Sequence, residues 1–465
     1  MSVIQMNDIF GEGASGATAE EFAATSTNVY VRSQVQIALS KPEAKGRKLS
    51  AVEALRSYGI ETLRAVASEG YAPLVTSRDE PASTLKRRRV ELGLDIRDVA
   101  KASGLDAEAI KNIETSGRPS KIRDIERLSV SLALDERIVG FSKVVGDQEL
   151  GIRLRELRSN RDDTRFDPSS VLKLAQAGWV IARHNEIGRM LKIDVHPMVS
   201  QGSLQTYDYR YKTAERGYEL AERVREVLGL TAEEPIASVR NLIEDKLGIP
   251  LVQDKLTSRF AGATIANGVN RGIVVNEEGL NEKASVRRMT LAHEIGHLVG
   301  DPDEKLNRLR VDTYDTLVNN VASVTDPVER RANGFAVAFL APPLGVKAIA
   351  RTYDDPVRVV EEIVNTFGIS KTAASNHLVN ITGMEVPKRR LHSIQETTDW
   401  TPSENLTLDY FPIHETSLRK RGRFASLVVK AQQGGHISED TAASWLDTDI
   451  DSYVSHRETI LALQG

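Results

Sequence analysis

One short stretch decides the fold of the second half of the chain: Leu291-Ala-His293-Glu294-Ile-Gly-His297-Leu-Val299. Two histidines four residues apart lie on the same face of a helix, close enough to share one metal ion. Glu294 follows the first histidine, where its carboxylate can act as the general base of a metal-dependent hydrolase. Apolar residues at helical spacing predict a core helix: Val286, Met289, Ala292, Ile295 and Val299. Because buried polar groups without a task are costly, a metal site is favoured over two histidines that only hydrogen-bond within the core.

The sequence offers two candidates for the third protein ligand of a catalytic metal site, which keeps one position open for water. Gly300 can turn the chain so that Asp303 returns to the metal, as in some metzincin-like enzymes. Alternatively, Glu329 stands at the start of a second predicted helix, whose apolar face carries Ala332, Phe335, Ala336 and Phe339. The spacing alone does not choose between these two carboxylates.

The two motifs together resemble a known family. Arg288-Met-Thr-Leu-Ala-His-Glu-Ile-Gly-His297, combined with Glu329-x-x-Ala-Asn-x-Phe-Ala-x-x-Phe-Leu-x-Pro342, resembles the ImmA/IrrE family of zinc metallopeptidases. Upstream, Ala214–Leu228 and Gly272–Asn276 are similar to that family's lead-in helix and small sheet. The resemblance implies a Zn²⁺ ion held by His293, His297 and Glu329, with Glu294 as the catalytic base. Asp303 then becomes an ordinary loop residue.

The resemblance also implies an activity: zinc-dependent, site-specific endopeptidase cleavage, in which Glu294 takes the proton of the attacking water. The expected substrate is a helix-turn-helix repressor, cut in trans, or in cis between Phe141 and Ser200. The implied role is that of a transcriptional, stress-response or phage-defence regulator, with single-stranded DNA as a possible activator.

Two further features of the peptidase region are open at this stage. Tyr314, Arg287 and Asn276 are candidates for a second oxyanion donor. The predicted strand Gly272–Asn276 is expected to lie at a sheet edge and pair with an extended substrate by β-addition.

Residues 84–140 carry the signals of a bundle of short helices. Gly93 and Gly104 are expected to end the first two helices, Asp95 and Ser120 are predicted N-caps, and the third helix is expected to start at Asp106. The text Leu85-Lys-Arg-Arg-Arg-Val-Glu-Leu-Gly-Leu94, Asp98-Val-Ala-Lys-Ala-Ser-Gly-Leu105 and Ile110-Lys-Asn-Ile-Glu114 resembles the lambda-repressor-like (XRE) helix-turn-helix family.

In that family the third helix enters the major groove of DNA. The resemblance therefore implies DNA contacts through Arg87, Arg88, Lys111 and Asn112. Two outward positions of the predicted third helix, Asp106 and Glu108, are acidic where phosphates and base edges require donors. The alternative is a protein–protein module that no longer reads DNA.

The composition of the 465 residues narrows the function classes. The 40% of hydrophobic and 27% of charged residues are typical of a globular protein. The apolar runs fall short of the roughly 20 residues of a transmembrane helix, and the N-terminus lacks the pattern of a secretory signal, so we expect a cytoplasmic protein without a membrane anchor. With no cysteine in the chain, any metal must be held by histidines and carboxylates. The net charge of −4 argues against a general nucleic-acid coat but allows a local basic face.

We predict a mainly α fold with a small β-sheet (α+β), in which a helix-turn-helix bundle and a zincin-like metallopeptidase domain precede a helical C-terminal region. The predicted segments are a flexible leader (1–28), a helical segment and linker (29–83), the helix-turn-helix (84–140), a helical connector (141–210), the peptidase (211–385) and a basic helical region (386–465). DNA is an expected partner, and the oligomeric state is open, a dimer included. The alternative function is a DNA-binding regulator or antitoxin-like module whose peptidase fold only senses a ligand.

Overall fold

The computed structural model describes residues 3–141, 153, 167–199, 213–257, 259–302, 306, 308–315, 326–396, 400–404 and 410–463. The chain forms two compact units. The first unit comprises Met1–Ile193 and Leu408–Gly465, and the second unit comprises Asp194–Thr407. Both are mainly helical and each contains one four-stranded sheet, which confirms the predicted fold class. The predicted segment boundaries differ from this division, because residues 408–463 pack within the first unit.

The first unit begins with a small α/β module. Its elements are α1 (Val3–Phe10), α2 (Ala19–Thr25), β1 (Val29–Arg32), β2 (Gln36–Leu39), β3 (Arg47–Ser50), α3 (Ala51–Glu69) and β4 (Tyr71–Pro73). The strands form an antiparallel sheet in the order β3-β1-β2-β4. Ser50 caps α3 through a reciprocal capping box with Glu53.

Two predictions for this module are wrong. Residues 1–28 are not a flexible leader in their described part, because Ile9, Phe10 and Phe22 are buried in the core of the module. Residues 29–50 form strands rather than helix. Each strand is only four residues long, so its period-2 pattern is too short to identify, and pairing of β1 with both β2 and β3 stabilises it.

The helical bundle follows as α4 (Ala82–Glu91), α5 (Ile96–Ser103), α6 (Ala107–Ile113) and α7 (Ile122–Ser131). Asp95 is the N-cap of α5, as predicted, and Gly104 ends α5 in the left-handed conformation. Asp106, where the third helix is expected to start, is the N-cap of α6. The predicted cap at Ser120 is wrong, because Lys121 stands at the N-cap of α7 and makes no side-chain cap bond.

The described part of the first unit also contains α8 (Pro168–Met190) and, from the C-terminal segment, α17 (Arg423–Gln433), α18 (Glu439–Trp445) and α19 (Ile450–Ala462). Buried charges join the segments. Arg47 contacts Glu126 at 2.5 Å and Asp440 at 2.8 Å. The Glu136 carboxylate accepts the indole N–H of both Trp179 and Trp445 at 2.9 Å.

The second unit contains α9 (Thr213–Val227), a helical turn at Val239–Asn241 that continues as a π-helical turn over Leu242–Lys246, and the strands β5 (Leu251–Asp254), β6 (Phe260–Asn267) and β7 (Asn270–Asn276). Helix α10 (Ala284–Gly300) and strand β8 (Arg308–Thr313) come next. The remaining helices are α11 (Pro327–Leu340), α12 (Pro343–Thr352), α13 (Pro356–Phe367), α14 (Lys371–Thr382), α15 (Lys388–Leu391) and α16 (Thr401–Glu404).

The sheet of the second unit has the order β5-β7-β6-β8, with β5 and β7 parallel and the other pairs antiparallel. Strand β7 therefore lies inside the sheet. The prediction that Gly272–Asn276 is a free edge for a substrate is wrong, because β5 and β6 already occupy its two hydrogen-bonding sides.

Glycines let three helices of the second unit approach closely. A Cβ atom at Gly217 of α9 would lie 2.6 Å from Phe335 N of α11, and one at Gly334 of α11 would lie 2.5 Å from Ala214 O of α9. Likewise, a Cβ at Gly296 of α10 would lie 2.8 Å from the Phe335 ring. Because these distances are far below van der Waals contact, only glycine fits, and α11 is held tightly beside α9 and α10.

Within the described ranges, no single helix is long and apolar enough to cross a membrane. The pair α11 and α12, bent by 56°, passes that test by length and composition alone, and most of α11 is buried in the second unit.

Candidate metal centre

Helix α10 brings the three polar residues of the His-Glu-x-x-His motif to one place in the core. His293, Glu294 and His297 are all fully buried. The Nε2 atoms of the two histidines lie 3.0 Å apart. Four residues make slightly more than one helical turn, so both imidazoles leave the helix on the same side and converge.

Two side chains orient the imidazoles. His293 Nδ1 donates to Asn333 Oδ1 of α11, and His297 Nδ1 donates to Asp301 Oδ2, each at 2.9 Å. Arg331 forms an ion pair with the same Asp301 carboxylate. With Nδ1 protonated, the Nε2 atom of each neutral imidazole presents its lone pair to the centre, which is the tautomer that metal-binding histidines adopt.

Glu329 reaches both histidines from the first turn of α11. Its Oε2 atom lies 3.1 Å from His293 Nε2, and its Oε1 atom lies 3.7 Å from His297 Nε2. Arg310 of β8 donates to Glu329 Oε1 at 2.5 Å. Burial raises the pKa of Glu329, but the hydrogen bond and charge of His293 outweigh it and leave that pKa below the usual value. Burial lowers the pKa of His293, yet Glu329 reverses the sign and leaves it raised.

Glu294 lies against the sheet on the other side of the centre. Its Oε2 atom accepts the hydroxyl of Thr264 at 2.5 Å, and its Oε1 atom faces Gly262, where a Cβ would lie only 2.6 Å away. Burial raises the pKa of Glu294 to about 8, against the lowering effect of the Thr264 hydrogen bond. A raised carboxylate pKa near neutrality suits a group that takes up and releases a proton.

A fourth residue, Asp312 of β8, also lies at the centre, and sequence reasoning missed it. Its Oδ2 atom lies 3.8 Å from His293 Nε2 and 3.6 Å from His297 Nε2. Burial, together with the charges of Glu294 and Glu329, raises the pKa of Asp312 well above its usual value. The only local signal is the alternation of polar and apolar residues in Arg308-Leu-Arg-Val-Asp312, which predicts a strand and not a ligand.

The charges of the site fit a divalent cation. His293, His297, Asp312 and Glu329 each offer one ligand atom, and these atoms lie within 4.8 Å of one another. Three buried carboxylates, those of Glu294, Asp312 and Glu329, face one guanidinium among the described residues, that of Arg310. The Glu294 and Asp312 carboxyls interact with each other, and among the described residues no N–H or hydroxyl donor reaches the buried atoms Asp312 Oδ2 and Glu294 Oε1. Such a cluster needs a dication or added protons, since unpaired buried charge is costly.

The three sequence candidates for a second oxyanion donor are engaged in hydrogen bonds with backbone carbonyls. Tyr314 donates to the Glu278 carbonyl, Arg287 donates to the carbonyls of Asn281 and Glu404, and Asn276 donates to those of Thr257 and Phe260. These bonds hold the loops that follow β5 and β7. Asp303 lies outside the described residues.

The four predicted DNA contacts differ in accessibility. Arg87 and Lys111 are exposed, and their nearest carboxylates are Glu91 at 3.8 Å and Glu108 at 3.9 Å. Asn112 accepts a hydrogen bond from Arg118. Arg88 is buried and donates to the Leu132 carbonyl, so the prediction that it contacts DNA is wrong. Arg88 joins the first helix of the bundle to the end of α7.

A comparison with protein families identifies one region. Residues 245–379 match the model of the IrrE N-terminal-like domain, Peptidase_M78. The match begins just before β5 and ends in α14, so it includes His293, Glu294, His297, Asp312 and Glu329. It supports the ImmA/IrrE part of the resemblance and covers less than a third of the chain. No curated protein matches the chain.

Proposed function

Starting from a Peptidase_M78-type domain with a buried centre that can hold a metal, we propose that this chain is a zinc-dependent endopeptidase. His293, His297 and Glu329 hold the ion, and Glu294 is the general base. One observation carries the proposal: two histidine Nε2 lone pairs, fixed by Asn333 and Asp301, converge 3.0 Å apart beside three buried carboxylates that share the guanidinium of Arg310.

The donor set favours zinc over harder cations. Magnesium and calcium prefer shells of oxygen ligands, whereas two imidazoles with carboxylates are typical of zinc sites. Bound at this centre, zinc supplies Lewis acidity that polarises a peptide carbonyl and makes water a stronger acid.

The protein's own groups then manage the protons. Glu294 accepts a proton from the water that attacks the scissile carbonyl and passes it to the departing amine, so that one C–O bond forms as the C–N bond breaks. Thr264, which donates to Glu294 Oε2, holds the carboxylate in one orientation. The complete burial of Glu294 brings its pKa close to the working pH.

We propose a helix-turn-helix repressor as the substrate, cut in trans, or in cis within residues 141–200. The reason is the arrangement of the chain, in which a repressor-like helical bundle precedes the peptidase-like region. The full chain, loaded with zinc, is incubated with repressors encoded by neighbouring genes, with and without single-stranded DNA, and the products are identified by mass spectrometry.

The matched variants are Glu294→Gln and, as a control, Glu282→Gln, which makes the same chemical change at an exposed position on the same unit. We expect Glu294→Gln to retain zinc and lose cleavage, and Glu282→Gln to cleave like the wild type. If no repressor is cleaved and Glu294→Gln still regulates like the wild type, the peptidase function is wrong. The outcome would then favour a regulator that only senses a ligand.

We further propose that residues 84–140 bind DNA, with Arg87, Lys111 and Asn112 as contacts. Lys111→Ala should weaken retention on a DNA fragment and reduce the salt slope of binding by about 1, as expected for one lost phosphate contact. Lys41→Ala is the control, since Lys41 is exposed on the N-terminal module. Equal binding of wild type and Lys111→Ala would contradict a role of α6 in DNA contact.

A further inference from the structure

Asp312 lies beside the three residues that we propose to hold the metal, 3.8 Å from His293 Nε2 and 3.6 Å from His297 Nε2. It stands on β8 opposite Gly262 of β6, next to an irregularity in the pairing between Phe260 and Gly262. Gly262 has no side chain, and its position faces Glu294 Oε1. The missing side chain therefore leaves space for the carboxylates of Glu294 and Asp312 on the same side of the sheet.

The separations fit four protein ligands. Zinc–nitrogen and zinc–oxygen bonds of about 2.0–2.2 Å give a tetrahedron with edges of about 3.3 Å. The distances from His293 Nε2 are 3.0 Å to His297 Nε2, 3.1 Å to Glu329 Oε2 and 3.8 Å to Asp312 Oδ2. From His297 Nε2 to Asp312 Oδ2 the distance is 3.6 Å, almost the same as the 3.7 Å to Glu329 Oε1.

The carboxylates of Glu329 and Asp312 have similar polar surroundings. Arg310 approaches both, with its Nε atom 2.5 Å from Glu329 Oε1 and 3.8 Å from Asp312 Oδ1. Asp312 also interacts with the Glu294 carboxyl, and its buried Oδ2 atom, which no described N–H or hydroxyl donor reaches, lies 3.8 Å and 3.6 Å from the two imidazole Nε2 atoms. A buried carboxylate oxygen with this environment has the features of a metal ligand.

We propose that Asp312 is a fourth protein ligand, and that the centre described here is a closed, latent form of the enzyme. This inference rests on the proposed function. Catalytic zinc sites keep three protein ligands and one exchangeable position, whereas sites with four protein ligands are closed. A peptide carbonyl must therefore displace the Asp312 carboxylate before hydrolysis begins.

The location of Asp312 provides a route for its release. Among the described strands, β8 pairs with β6 alone and is the last in the sheet order, so Asp312 is attached to an edge strand of the described sheet rather than to the core helices α10 and α11. An extended peptide that adds to this edge can pull on β8 without moving the histidines or Glu329. The peptide would thus open the site that cleaves it.

The test uses the full chain with Co²⁺ as the probe, because its visible spectrum reports coordination number. The variants are Asp312→Ala, the isosteric Asp312→Asn and the control Asp315→Asn, which alters an exposed aspartate three residues further on. Each is titrated with acetohydroxamate, a small chelating ligand that requires an exchangeable position. Metal affinity is measured in parallel by competition with a chromophoric chelator.

We expect the wild type and Asp315→Asn to give the same four-coordinate spectrum, unchanged by acetohydroxamate. Asp312→Ala should bind acetohydroxamate with a clear spectral change and lose at least about 10-fold in metal affinity, since loss of a residue that only supports a ligand already costs about 10- to 100-fold. If Asp312→Ala fails to fold, Asp312→Asn supplies the same comparison at nearly unchanged volume.

The outcomes separate the two proposals. If Asp312→Ala and Asp312→Asn have the same Co²⁺ spectrum and metal affinity as the wild type, Asp312 is not a ligand. The proposed peptidase function is then unaffected. Binding of acetohydroxamate to the wild type overturns the latent form in the same way. Failure of the wild type to bind Co²⁺ or Zn²⁺ at all overturns the metal centre itself, and the proposed function with it.

Discussion

The glycine contact between α9 and α11 gives a quantitative prediction for Gly217→Ala. The new Cβ would lie 2.6 Å from Phe335 N and closer still to the Arg331 carbonyl oxygen. Ordinary contacts of this kind measure about 3.4 Å or more, so the helices must separate by about 1 Å. Since both atoms belong to the backbone, neither can rotate away, and we expect a steric cost of about 3 kcal/mol, at the upper end for overpacking.

Gly188→Ala is the matched control. Gly188 also lies within a helix, α8, but the nearest atom to its added Cβ is 4.0 Å away. Alanine favours a helix over glycine by about 1 kcal/mol, and this gain applies to both variants. We therefore expect Gly188→Ala to stabilise its helix by about 1 kcal/mol and Gly217→Ala to destabilise α11 by about 2 kcal/mol, a difference that isolates the steric term.

Native-state hydrogen exchange measures both effects, because it reports the opening free energy of individual amides in α8 and α11. The same displacement should move Glu329 and Asn333, which α11 carries, and reduce zinc affinity at least tenfold. If the amides of α11 exchange in Gly217→Ala as in the wild type and the metal affinity is unchanged, the close packing of α9 on α11 is refuted.

Three other predictions follow from buried contacts. Chelation of the metal should lower the midpoint of the second unit's thermal transition by about 10 °C. The reason is that an ion present at about 1,000 times its Kd adds about 4 kcal/mol to the free energy of unfolding. An unchanged midpoint would contradict a metal centre in the core. His377 donates from Nε2 to the Ala341 carbonyl and accepts the Tyr218 hydroxyl at Nδ1, each at 2.7 Å, and burial lowers its pKa to about 4. As the pH falls, His377 is protonated in the unfolded chain before it is protonated in the folded protein. The free energy of unfolding that the neutral ring contributes is therefore complete above about pH 6.5 and falls by about 2 kcal/mol at pH 5. Urea titrations at about pH 6.5 and pH 5 should show this loss in the wild type and not in His377→Gln. Arg88→Ala should reduce the stability of the helical bundle by about 2 kcal/mol without altering the salt slope of DNA binding, whereas a reduced slope would restore Arg88 as a phosphate contact.

Local sequence is enough to predict a structural feature when the residues that form it lie within one or two helical turns of each other. The α10 motif fixes the two imidazoles and Glu294 relative to one another, because residues one and four positions apart on a helix have a set geometry. The caps at Asp95 and Asp106 are similarly local, since each side chain bonds to a backbone N–H three residues on. These features could be predicted without knowing any neighbour.

Other parts of the fold depend on partners distant in sequence. The strands at 29–50 are too short to identify alone, and the N-terminal helices are ordered by a core that includes residues of α3. Arg88 looked like an exposed cation in a basic run, but its guanidinium bonds to a carbonyl 44 residues away. A residue's own position in a helix does not reveal which face the neighbouring elements will cover.

The metal centre combines both kinds of information. The sequence by itself determined two histidines, a base and the requirement that carboxylates complete the site, since the chain has no cysteine. The tertiary structure decided which carboxylates lie beside the histidines of α10: α11 brings Glu329, and β8 brings Asp312. The reason is physical: the separation of these residues along the chain says nothing of their separation in space, which the glycine contacts of α11 and the pairing of β8 with β6 set.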